Sequence, residues 1–142
     1  MRLLIFLLIG TYALHAQETK ALDCIYLIKS LEFNELQSHF LISKITETDL
    51  IVIDSANYFR NCNCPRICDH EVHTSNVWPK GLDVNDYQGK KFNNLIVLFR
   101  ADEIGKDVFL YFWEPNSNSA VELRLRKRGK RVIIKVISSG QY

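Results

Sequence analysis

The stretch Cys62-Asn63-Cys64-Pro65-Arg66-Ile67-Cys68-Asp69-His70-Glu71-Val72-His73 gathers three thiols and two imidazoles, and a fourth cysteine, Cys24, stands far upstream. Such groups cross-link the chain, hold a metal, or attack a substrate. Four cysteines allow three pairings. A bond from Cys62 to Cys64 is geometrically poor at so short a separation. The expected pattern is Cys24 bonded to Cys62 or Cys64, with Cys68 tied to the one left over; Cys24 to Cys68 requires the strained pair. The competing chemistry is zinc. Thiolates of Cys62, Cys64 and Cys68 with His70 or His73 would complete a tetrahedral set. The spacing C-x-C-x3-C-x-H is not a standard one, and His70-Glu71-Val72-His73 places its second histidine one residue too early to share a helical face with the first. A Cys–His nucleophile is a third option, with nothing in the chain to orient it, and free thiols are a fourth. Disulfides are therefore expected, with no cofactor, and zinc is the alternative.

Other groups offer binding rather than catalysis. Arg124, Arg126, Lys127, Arg128, Lys130, Arg131 and Lys135 make the C-terminal region strongly basic, with Glu122 opposing them. Such a cluster could bind a phosphate, a glycan sulfate or an anionic lipid surface; Arg124, Arg126, Arg128, Lys130 and Arg131 are the candidates. The simpler reading, which is preferred, is a solvated hairpin whose charges discourage edge pairing. Trp78, Tyr87, Tyr111 and Trp113 could line a ligand pocket, although packing on a sheet is the more ordinary role. His39, beside Phe40, reads as a margin residue.

The first residues, MRLLIFLLIGTYALHA, favour disulfides over zinc. Arg2 followed by the apolar run Leu3–Leu8 and the small Ala16 has the order of a secretory signal peptide over residues 1–16. The expected address is exported, periplasmic or extracellular, where thiols oxidise. Residues 17–142 are expected to form a single domain, with no transmembrane helix in the mature chain. The composition is that of a globular protein, 47% apolar and 24% charged. Net charge is +2, an even balance that points away from a nucleic-acid partner.

These groups need elements to position them. Ala21, Cys24, Ile28 and Leu31 recur at helical spacing, which predicts a helix over 17–31. A shorter helix is expected with Asn34 as N-cap and Leu36 and Phe40 four apart. The β-branched run Leu50–Ile53 predicts a strand followed by a short helical turn, with one helix through Ala56 and Phe59 as the alternative. Residues 61–86 read as an irregular Cys/His-containing loop. Four strand-like runs close the chain, over 94–100, 108–113, 120–127 and 131–138, joined by short turn-rich linkers. The run Val108–Trp113 is apolar on both faces and should be central. The expected fold is α+β, with N-terminal helices packed on a C-terminal antiparallel four-stranded meander, and Leu110, Phe112, Leu123 and Val132 buried.

The opening helix, the short helix begun by Glu32-Phe33-Asn34-Glu35-Leu36, and the closing strands together resemble the NTF2-like, or cystatin-like, superfamily. The resemblance implies a sheet curved around a helix and selects no activity. The expected function is a small exported binding or interaction domain that is non-catalytic, its protein or small-molecule ligand unspecified. The alternative is a small hydrolase or isomerase with a cavity between helix and curved sheet.

Overall fold

The structure, a computed structural model, describes residues 20–79 and 94–141. The expected signal peptide lies outside the described residues. Helix α1 spans Cys24–Leu31 and begins where Asp23 accepts the Ile25 amide at 3.1 Å, which satisfies one of the free N–H groups of the first turn. Residues 20–22, just ahead of this cap, are not helical. Leu22 instead donates its amide to the Tyr58 carbonyl at 2.8 Å, so the helix expected from residue 17 is shorter. Helix α2 spans Asn34–His39 with Phe33, not Asn34, at the N-cap position. Leu41 then takes a left-handed conformation and opens a single 3-10 turn over Ile42–Lys44.

Six strands follow: β1 Asp49–Ile53, β2 Glu71–Ser75, β3 Leu95–Ile104, β4 Asp107–Glu114, β5 Ser119–Arg128 and β6 Arg131–Gln141. They form one sheet in the order β2-β1-β3-β4-β5-β6. Strand β1 runs parallel to both of its neighbours, while β3 to β6 pair antiparallel. The sheet is therefore mixed. This overturns the expected architecture of N-terminal helices packed on a four-stranded antiparallel meander. Two further strands join the sheet in parallel, and the α-helices among the described residues are two short ones of 8 and 6 residues. One of the added strands, β2, sits inside the segment expected to be an irregular loop. After β1 the chain makes turns rather than a helix.

Local chemistry shapes the antiparallel part. The β3–β4 and β5–β6 connections are both Gly-Lys pairs, with Gly105 at φ 63° and Gly129 at φ 59°. Glycine in the left-handed region at the first turn position suits a two-residue hairpin whose twist matches its strands. The β4–β5 turn is held by the Glu114 carboxylate, which accepts the Asn116 and Ser117 amides, each at 2.8 Å.

One face of the sheet carries the main core. Leu27, Leu31, Leu36, Phe40 and Ile42 from the helical segment pack on Leu50, Val52, Leu98, Leu110, Phe112, Leu123 and Leu125. Each such side chain contributes roughly 1.5–3 kcal/mol when fully buried. Val132, expected in the core, is only half-buried, because β6 lies at the sheet edge. The other face holds a smaller cluster, Ile53, Leu95 and Val97, with Ile51, Trp78 and Trp113 against it.

Candidate functional site

The cysteine–histidine segment is organised by the turn that follows β1. Asp54 is buried, and its carboxylate accepts the Tyr58 amide at 3.0 Å and the Phe59 amide at 2.7 Å. Phe59 enters the main core. The chain is thereby brought back beside α1, and Cys62 bonds to Cys24 with their Cα atoms 5.5 Å apart. Cys64 and Cys68 are free and half-buried; the structure does not tie them to one another or to Cys24. Burial pushes the Cys64 thiol above its ordinary pKa. The Cys68 thiol donates to Gln37 Oε1 on α2 at 3.3 Å. Cys68 and Asp69 both have positive φ, 49° and 69°, between Ile67 and His70, which exchange two backbone hydrogen bonds. Two consecutive left-handed residues make a primed two-residue turn, so Cys68 stands at the tip of a tight hairpin.

The zinc donor set is not assembled. Cys62 is consumed by the disulfide. His70 is buried, with Nδ1 2.8 Å from the Glu47 carbonyl and Nε2 3.2 Å from the Ile42 carbonyl. The nitrogen that carries the N–H donates to its backbone oxygen, and both nitrogens lie against carbonyls, so His70 works as a strut between the hairpin and the chain ahead of β1. His73 points elsewhere. It is exposed on β2, with Nε2 3.7 Å from Asp49 Oδ1 and 4.0 Å from Glu71 Oε2. One ligand atom from each of Asp49, Glu71 and His73 falls within a 4.8 Å group. Sequence reasoning missed Asp49 and Glu71 as neighbours of His73. Only the parallel register, Asp49 with Glu71 and Ile51 with His73, brings them together.

The basic candidates divide into two groups. Asp107 stands opposite Arg126 on the β4–β5 ladder. Arg126 donates through its terminal nitrogen to Asp107 Oδ2 at 2.7 Å, and Arg124 donates through Nε to the same oxygen at 2.9 Å. The Arg126 hydrogen bonds first, and then Arg124, pull the Asp107 carboxyl down to about 2. Arg128, Lys130 and Arg131 lie exposed at the β5–β6 turn and make no ion pair among the described residues. Lys127 reaches across to Asp23 at 2.9 Å, joining β5 to the cap of α1.

The aromatic candidates do not form one pocket. Trp78 and Trp113 pack on the smaller apolar cluster, and Trp113 donates its indole N–H to Asn118 at 3.0 Å. Tyr87 lies outside the described residues. Tyr111 is half-buried on the sheet face away from the helices. The Arg100 guanidinium sits 4.3 Å from its ring centroid, and the Phe99 ring lies 5.9 Å away. A bulge between Leu98 and Arg100 exposes Phe99. Phe109, Tyr111 and Trp113 form one row on this face, beside the β5 row Arg124, Glu122 and Ala120.

A cleft of about 700 Å3 opens at one end of the sheet. His39, Lys44, Glu47, Glu114 and Gln141 are among its lining residues. Glu114 is already committed to the turn amides. No helix among the described residues is long and apolar enough to cross a membrane. Comparison of the chain with protein-family models, with curated proteins and with solved structures finds no match.

Proposed function

We propose that this chain is an exported, non-catalytic binding domain that uses the sheet face opposite its helices. The supporting observation is the row Phe109, Tyr111 and Trp113, half-exposed and in register with Arg124 and Glu122. Aromatic rings supply apolar contact at low entropic cost, and the adjacent Arg124 is held in place by Asp107. A ligand with a flat apolar part fits this surface. Export accords with the leader-like first residues and with the Cys24–Cys62 bond.

The enzyme reading places a hydrolase or isomerase site in the cleft. It needs convergent polar groups that are free to act, whereas the Glu114 carboxylate holds a turn. Binding is therefore preferred. The test uses Tyr111→Ser and Phe109→Ser variants with unchanged circular dichroism. Capture of ligand from the native envelope or secreted fraction should fall for both variants and persist for Glu47→Gln at the cleft. Capture that depends on Glu47 alone would reverse the assignment.

A further inference from the structure

We propose that the outer edge of β6 docks an extended acidic segment of a partner protein, which adds to the sheet as a further strand. β6 is the longest strand among the described residues, 11 residues, and stands last in the sheet order. Among the described residues no strand pairs with its outer side. Arg128 and Arg131 flank the two-residue turn and so form a hydrogen-bonded pair. By alternation, Ile133 and Lys135 direct their backbone groups to β5. Val132, Ile134 and Val136 direct theirs outward, and these N–H and C=O groups are a template for strand addition.

The side chains specify what fits. On the helix side, Val132, Ile134 and Val136 form a half-buried apolar row packed against the main core. On the open side, Arg131, Ile133 and Lys135 are exposed, with Ile133 at 48%. Their β5 partners are Arg128, Arg126 and Arg124. Asp107 offsets part of the charge of Arg124 and Arg126; Arg128, Lys130, Arg131 and Lys135 have no ion pair among the described residues. Like charges across a strand pair are destabilising, and a second copy of β6 paired antiparallel about Ile133 would bring Arg131 against the Lys135 of that copy. A strand alternating apolar and acidic residues instead extends the apolar row and places its carboxylates beside the cations. Charge complementarity thus selects a partner segment over self-association.

The probe is a fluorescent seven-residue peptide alternating Val and Glu, titrated into the purified protein by anisotropy. A second peptide carries Lys for Glu. A third keeps Glu but is N-methylated on the edge that would meet β6. The Glu peptide should bind and shift the amide resonances of Val132, Ile134 and Val136. The Lys and N-methylated peptides should each bind about tenfold more weakly or worse, through lost charge pairing and lost hydrogen bonds respectively. Ile134→Pro, which removes an outward N–H and is tolerable on an edge strand, should weaken the Glu peptide likewise. The N-methylated peptide tests the same point on unaltered protein should that variant fail to fold. Absence of binding, equal binding of the N-methylated peptide, shifts confined to other strands, or a wild-type dimer that Ile134→Pro dissolves would each overturn the proposal.

Discussion

Asp107 and Arg126 face one another across the β4–β5 ladder, and the carboxylate of the first receives the guanidinium of the second through both of its oxygens. Arg124 shares the same carboxylate. This pairing offsets one of the two guanidinium charges on β5, and further uncompensated charge stands on the β5–β6 turn and on β6 itself. It also sets an acid limit. The folded-state carboxyl lies at about 2, below its ordinary 3.8. A depressed carboxyl favours the folded state above roughly pH 4, and that contribution is lost as pH falls through about 2. Thermal melts from pH 6 to 2 should therefore show wild type losing more on acidification than Asp107→Asn. Superimposable profiles would show that the pair contributes nothing.

Thiol counting checks the cysteine assignment. Under denaturing, non-reducing conditions mass spectrometry should find two free thiols, Cys64 and Cys68, and four after reduction. A count of zero would restore the second bond expected between them. The double variant Cys24→Ala with Cys62→Ala should lose about 2–4 kcal/mol in urea unfolding, because the bond closes the chain between α1 and the segment after β1.

Phe112 is fully buried on central strand β4, under the helical segment. Phe112→Ala should cost about 3–5 kcal/mol, from lost apolar burial and the cavity left behind. Chemical denaturation measures it. A loss below about 1 kcal/mol would place this face of β4 outside the core.

His70→Leu keeps the volume roughly and removes the ring nitrogens that meet the Glu47 and Ile42 carbonyls. Leaving such groups unsatisfied costs about 1–3 kcal/mol, so urea unfolding should shift by that amount. His73→Leu, exposed on β2, should leave stability nearly unchanged. Equal effects of the two substitutions would deny His70 its role as a strut.

What the sequence determines by itself is local. Val121, Leu123 and Leu125 alternate with Glu122, Arg124 and Arg126, and a period of two can bury only one face of a strand. The turns at Gly105 and Gly129 follow from glycine's access to positive φ. The β-branched residues around Leu50 favour an extended chain whatever lies beside them. The tertiary structure alone decides which strands are neighbours. The parallel pairing of β1 with β2 and β3 joins residues separated by long stretches of chain, and no period in a single segment encodes a register between two. That is why the β2 segment looks like loop in the sequence, why the local pattern implies a smaller antiparallel sheet, and why nothing along the chain places Asp49 and Glu71 beside His73. The same holds for Cys24, whose choice of Cys62 over Cys64 follows from the Asp54-capped turn that presents Cys62 to α1. Side-chain periodicity is a property of one segment; pairing, register and cross-links belong to the closure of loops between segments, which only the folded chain contains.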